Sequence, residues 1–250
     1  MTYRTADAAG TVIFSSVGGC VRRYIKFEKK QKNNYIKICR KDGRVMELMK
    51  ERIKRDGRVY PGGVLKVDCF LNHMIDIDLL SEAGKELHRL FANDGVTKIL
   101  TVEASGIAVA SLAAVQFGVP VVFAKKSKTS NLSDNLYRAQ VVSFTHGKTY
   151  TIVVDKNYIT SSDRVLIVDD FLARGEALRG LLAITEQAGA SVAGAGIMIE
   201  KCFQGGGDEL RADGLRIESM AMIESMSDDG RIVFRDECAT ERRMLCVSVE

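Results

Sequence analysis

Apolar positions along the chain fall into two alternating kinds of run. Short runs rich in Val, Ile and Leu have the length and β-branching of buried strands: Lys98–Val102, Val119–Phe123, Val165–Val168, Val192–Ile199 and Leu215–Met222. Between them lie stretches whose apolar positions recur three or four apart. Leu79, Leu80, Leu87 and Leu90 predict a helix over Asp78–Phe91, Gly106–Phe117 a second that stops at Gly118, and Gly175–Gln187 a third. Met49 and Ile53 repeat at helical spacing among charged residues, which predicts an amphipathic helix from Met46 to about Asp56. Gln140–Thr145 and Thr149–Val154 alternate polar and apolar around His146-Gly147-Lys148 and predict a hairpin, while Tyr60-Pro61-Gly62-Gly63 and Asp94-Gly95 punctuate the chain as turns. Alternating strands and helices predict an α/β fold, with a mostly parallel central sheet covered by helices on both faces. Such sheets bind ligands outside the carboxyl ends of their strands.

The most informative of those ends follows Val165-Leu166-Ile167-Val168. The apolar run stops at two adjacent carboxylates, Asp169 and Asp170, followed by Phe171-Leu172 and the small-residue loop Ala173-Arg174-Gly175-Glu176-Ala177 that opens a helix. Unpaired N–H groups and the positive end of a helix dipole make such a loop an anion site. The two acids cannot bind an anion, but they can accept hydrogen bonds from hydroxyl groups, so a sugar phosphate would satisfy both halves. A general acid/base pair is the other reading; adjacent strand positions point to opposite faces, so both acids serve one ligand only if the chain bends there. A second strand end, Val102-Glu103-Ala104-Ser105-Gly106, also opens a helix and reads either as an anion loop or as an ordinary turn with Ser105 as N-cap. A third is followed by Lys125-Lys126-Ser127-Lys128 and the polar stretch Thr129–Asn135, which by composition is either a mobile cationic loop or a solvated basic turn.

The Val165–Ala177 segment resembles the phosphoribosyl-pyrophosphate (PRPP) motif of the type I phosphoribosyltransferases. The resemblance runs from about Met46 to about Asp236 and includes LKVDCFLNHMID (Leu65–Asp76), VEASGIA (Val102–Ala108), VPVVFAKK (Val119–Lys126) and IEKCFQ (Ile199–Gln204). Five matches in the right order are far more specific than one short motif. Phe171-Leu172-Ala173 after the acids looks most like the bacterial xanthine-specific branch of that family. The resemblance implies the type I phosphoribosyltransferase fold with a small hood subdomain, here about residues 46–76, and transfer of the PRPP ribosyl group to xanthine in purine salvage.

It also implies roles for named residues. Ala173, Arg174, Gly175, Glu176 and Ala177 would hold the 5′-phosphate, and Asp169 and Asp170 the ribose hydroxyls. Ala104, Ser105 and Gly106 would form the pyrophosphate loop, and Lys125 and Lys126 the start of the mobile loop that closes over PRPP. Leu65, Asn72 and Lys201 match positions that contact xanthine, with Phe203 placed to stack on the ring; by spacing alone, Leu65 and Phe203 are plain core residues. Asn72 can both donate and accept, and Lys201 suits an oxo-purine better than an amino-purine. Magnesium would arrive on PRPP, without direct protein ligands, and relatives are homodimers. The chain departs from the family pattern at Ala104, usually Ser, at Lys125-Lys126, often Arg-Lys, and at Arg174 and Glu176, where Asn-Gly-Gln or Gly-Gly is more usual. A loop that grips through backbone donors lets Glu176 point outward.

Charge refines the boundaries. Residues 1–45 hold 11 Lys and Arg against 3 Asp and Glu, whereas residues 46–250 hold 25 against 29. The basic character therefore belongs to an N-terminal extension, in which Tyr24, Phe27 and Tyr35 stand among the cations. A solvated disordered tail, a start codon placed upstream of Met46, and a nucleic-acid-binding arm are its three readings, and the first two fit better. Residues 46–236 form the phosphoribosyltransferase domain and 237–250 a tail without a physical reading. No run reaches the roughly 18 apolar residues of a membrane span, and the N-terminus lacks a secretory pattern, so a cytoplasmic enzyme without membrane or nucleic-acid partners is expected. The six cysteines form no C-x-x-C pair. Another purine base (hypoxanthine, guanine or adenine) or a PRPP-sensing transcription regulator on the same fold are the alternatives.

Overall fold

In the computed structural model the described residues are 12–13, 24–25, 44–127, 135–143 and 148–235. The chain divides into two compact units, residues 1–43 and 44–250. In the first, β1 (Val12–Ile13) pairs antiparallel with β2 (Tyr24–Ile25), a ladder the residue pattern does not predict. Tyr35, most of the expected mobile loop, the hairpin tip at His146-Gly147 and the tail after Arg235 lie outside the described residues.

The second unit is built on an eight-stranded sheet in the order β12-β11-β10-β9-β5-β6-β8-β7. Its centre is parallel: β5 (Lys98–Val102), β6 (Val121–Ser127), β9 (Arg164–Leu172), β10 (Ser191–Lys201) and β11 (Ile217–Met226). One edge is the antiparallel β12 (Ile232–Phe234), and the other is the hairpin β7 (Leu136–Ser143) and β8 (Lys148–Asp155). The period of two along β9 divides the core. Leu166 and Val168 pack into the layer of α1 (Arg44–Asp56), α2 (Ile77–Phe91) and α3 (Gly106–Phe117), whereas Val165 and Ile167 face α4 (Glu176–Gln187). Met49 and Ile53 of α1 are fully buried, as their spacing predicts. Asp76 caps α2 by accepting from the Leu79 N–H at 3.1 Å.

Several boundaries differ from expectation for non-local reasons. Strand β9 does not stop at Asp169; it continues to Leu172 because β10 offers a parallel ladder, with Ile197 opposite Asp169 and Ile199 opposite Phe171. Strand β6 begins after Pro120, which lacks an N–H, and runs through Lys125, Lys126 and Ser127, which pair with Val153, Ile152 and Thr151 of β8. The two lysines therefore belong to a strand and not to a loop. The Tyr60–Gly63 turn closes a hairpin of β3 (Arg58–Tyr60) and β4 (Val64–Lys66), which is followed by a five-residue π-helical segment at Asp68–Asn72. The residue pattern also does not predict the short helix α5 (Gly206–Ala212).

Strand β10 ends on a buried polar cluster. Glu200 is fully buried and bound by both Arg211 nitrogens at 2.7 and 2.6 Å, and it also accepts from Ser219 Oγ. Pairing with complete hydrogen bonding is what makes a buried carboxylate tolerable. No helix among the described residues is long and apolar enough to cross a membrane.

Candidate active site

At the carboxyl ends of the central strands lies a cavity of about 530 Å³. Leu172–Leu178 line one side, the hood hairpin Pro61–Val64 another, and Val141, Val142 and Tyr150 a third, with Asp169, Phe171, Ile197, Lys201 and Gln204 among the remaining wall residues.

The small-residue loop has the geometry of an anion cradle. Gly175 adopts φ +83°, a left-handed conformation that side-chain-bearing residues rarely take, and immediately precedes α4. No side chain caps that helix, and its first intrahelical bond runs from the Arg179 N–H to Gly175 O at 2.8 Å. The N–H groups of the first turn are thus left for a ligand. The loop is braced from behind by α5: the Gly206 N–H donates to Ala173 O at 3.2 Å. Arg174 is exposed and Glu176 half-buried, and both belong to the cavity wall.

Asp169 and Asp170 are both buried, at 5% and 6% exposure. Asp169 lines the cavity, and Asp170 is absent from the lining, as the alternation of an unbroken strand requires. The Asp170 N–H donates to Asp169 Oδ1 at 3.0 Å. Burial, and then the Asp170 charge, push the Asp169 carboxyl well above the usual carboxylate range, with Lys126 pulling weakly the other way.

Ala104, Ser105 and Gly106 lie between β5 and α3, where the Glu103–Ala104 peptide is cis. Ser105 precedes α3 without the side-chain capping bond that the sequence suggests. Gly106 sits against Asp169: a Cβ there would lie 2.9 Å from Asp169 Oδ1 and 2.1 Å from Thr101 Oγ1. The structure thus brings this loop to Asp169 on β9.

The residues expected at a base divide. Lys201 lines the cavity and donates to Gly63 O at 3.0 Å, with its ammonium 5.4 Å from the Phe171 ring centroid. Burial lowers its pKa, and among the described residues no carboxylate forms an ion pair with it. Phe203 is 43% exposed beside Gly63 and outside the cavity lining. Leu65 is buried in the core cluster that includes Met49 and Ile53 of α1, and Asn72 is exposed at the end of the π-helical segment; neither lines the cavity.

Sequence reasoning did not find Tyr150, Gln204 or the hood hairpin as wall residues. Gly205-Gly206-Gly207 was a legible signal for a close backbone approach, whereas nothing local distinguishes Tyr150 from any strand aromatic.

The phosphoribosyl transferase domain family matches residues 67–209. A xanthine phosphoribosyltransferase of Lachnoclostridium phytofermentans is 52% identical over 193 residues, covering 77% of this chain and 100% of that protein. One from Alkaliphilus metalliredigens is 55% identical over 194 residues, covering 78% and 96%. Among solved structures, the adenine phosphoribosyltransferase of Giardia lamblia superimposes with a TM-score of 0.60 at 19% identity, over 69% of this chain and 96% of that one. That of Rhodothermus marinus gives 0.58 at 24% identity, over 72% and 98%. At these identities the structural likeness establishes the fold.

Proposed function

Since the chain belongs to the phosphoribosyl transferase family and, within it, to the xanthine phosphoribosyltransferases, we propose that it converts xanthine and PRPP to xanthosine 5′-monophosphate and pyrophosphate. The observation that carries this reading is one cavity that joins an uncapped helix start, a buried carboxylate and a half-buried lysine held by a backbone carbonyl. In the reaction the bond from the anomeric carbon to pyrophosphate breaks, the bond to the purine nitrogen forms, and that nitrogen gives up its proton.

Backbone donors of Ala173–Ala177 hold the 5′-phosphate, and Asp169 accepts from the ribose hydroxyls, with Asp170 supporting it through its N–H. Ala104–Gly106 and Lys126 face the pyrophosphate, where donors aimed at the departing charge lower the barrier. Lys125 adds positive charge from the same strand. Lys201 reads a purine oxygen from the cavity wall, and the family likeness alone assigns Asn72, Leu65 and Phe203 to the base. Excluding water and fixing the purine nitrogen against the anomeric carbon supply the remainder.

Magnesium would neutralise pyrophosphate when bound. The acids at the site, Asp169 and Asp170, are a buried pair. Such a donor set fits a hard cation that keeps waters and rides on substrate oxygens, near Asp169 and Asp170. The remaining elements of the proposal are a cytoplasmic location and a homodimer, for which the exposed apolar side chains Val115 (72%) and Phe123 (37%) offer surface.

The test is pyrophosphate release from PRPP and magnesium with xanthine, guanine, hypoxanthine or adenine. Xanthine should give the highest kcat/KM; PRPP binding without turnover on any purine would refute the enzyme and favour a PRPP sensor. Lys201→Met should narrow the xanthine-to-hypoxanthine preference about tenfold or more, the scale of a lost hydrogen bond to a charged group. An unchanged ratio would remove Lys201 from base recognition.

A further inference from the structure

Lys125 and Lys126 are adjacent in sequence but not equivalent in place. On β6 they point to opposite faces. Lys125 lies 6.0 Å from the ring of Phe123, which is itself exposed, whereas Lys126 lies 5.3 Å from the ring centroid of Tyr150. Tyr150 stands on β8 across from Val141, and both line the cavity. Lys126 pairs with Ile152, two residues further along β8, so Lys126 and Tyr150 share a face one diagonal step apart. The Lys126 N–H also donates to Glu103 Oε1, which fixes its backbone to the loop before α3.

Asp169 belongs to the same cluster. Burial and then the Asp169 charge raise the Tyr150 pKa, so its phenol stays neutral and the ring stays a neutral π-donor. An ammonium on a four-carbon stem is otherwise free to sample many rotamers, and ordering it on substrate arrival lowers affinity.

We propose that Tyr150 is a positioning residue: its ring, in the cavity wall, holds the neighbouring Lys126 ammonium in place before the donor binds, ready for the pyrophosphate. This rests on the reading of the site as a PRPP-dependent transferase. It assigns Tyr150 an effect on PRPP and none on the purine, and it makes that effect depend on Lys126.

A double-mutant cycle tests it, with KM and kcat measured for PRPP and xanthine in Tyr150→Leu, Tyr150→Phe, Lys126→Met and the Leu/Met double variant. Tyr150→Leu should raise KM for PRPP about fivefold, the scale of a partly desolvated cation–π contact, and leave KM for xanthine unchanged. Tyr150→Phe keeps the ring and should stay within about twofold of the parent. In the Lys126→Met background the Leu substitution should add nothing. Equal losses with and without Lys126, or a Phe variant as impaired as Leu, would overturn the assignment. If Tyr150→Leu does not fold, phenylalanines bearing one to three ring fluorines replace it at position 150: KM for PRPP should climb with each fluorine, and a flat series overturns the proposal. A parent enzyme inactive on every purine refutes the underlying reading together with this one, whereas an active parent with additive losses refutes Tyr150 alone.

Discussion

Replacing Asp169 by Asn should yield a protein that is more stable and close to inactive. The carboxyl is buried beside Asp170, and both burial and that neighbour favour its protonated form. A carboxyl whose folded pKa is raised contributes stability that is fully present below its unfolded value, near 3.8, and lost as pH rises through the folded value. At neutral pH the native state therefore carries a penalty that Asn removes, since an amide is neutral and can still hydrogen-bond. We expect a higher Tm at pH 8, with the gain fading as the pH falls toward 4. Activity should drop about 100-fold, because the carboxylate's charge-assisted bonds to the ribose hydroxyls are lost. Thermal melts at pH 8 and pH 4 beside kcat decide it. A variant destabilised equally at both pH values would mean that Asp169 is held by its neighbours, not strained by them. The coupling of lost stability to gained chemistry is expected where a site needs a buried charge.

That acid was legible in the sequence because its signal is local: a β-branched run, two carboxylates, small residues and a helix start are contiguous. The same holds for β5, α2 and α3, whose bounds follow the apolar period to within a residue. What could not be read locally depended on partners distant in sequence. Lys125 and Lys126 look like loop residues until β8 supplies their antiparallel partners, and Asp169 looks like a strand's end until β10 extends the ladder. The separation of Asp169 from Asp170 at the cavity follows from that extension, since an unbroken strand sends neighbours to opposite faces. Tyr150 becomes a wall residue only because the hairpin of β7 and β8 packs on α4, whose first turn forms the phosphate loop. Leu65 and Asn72 show the converse. Their segment matches the family pattern, yet one is buried and the other exposed, and only Lys201 of the three faces the cavity.

Gly206→Ala should disable the phosphate loop from behind, at a residue that itself lies outside the cavity wall. A Cβ at Gly206 would lie 2.2 Å from the Arg174 carbonyl carbon, 2.5 Å from its oxygen and 2.6 Å from Ala173 O. Those atoms are the backbone of the loop itself, so no rotamer change relieves the overlap; either the loop or α5 must move. Overpacking of this kind costs about 1–3 kcal/mol of stability. The larger effect should be functional, because the loop's grip depends on where its N–H groups point, and an ångström of displacement can lower a rate about 100-fold. We expect KM for PRPP to rise by at least about tenfold, with kcat falling as well and KM for xanthine changing little. Gly214→Ala is the control: Gly214 has φ +94° with nothing within 4 Å of an added Cβ, so the substitution strains the backbone without a clash. It should lower Tm through strain of about 1 kcal/mol and leave KM for PRPP as it was. Were the two variants to raise KM for PRPP alike, the loss would reflect general destabilisation, and α5 would not be the brace that sets the loop.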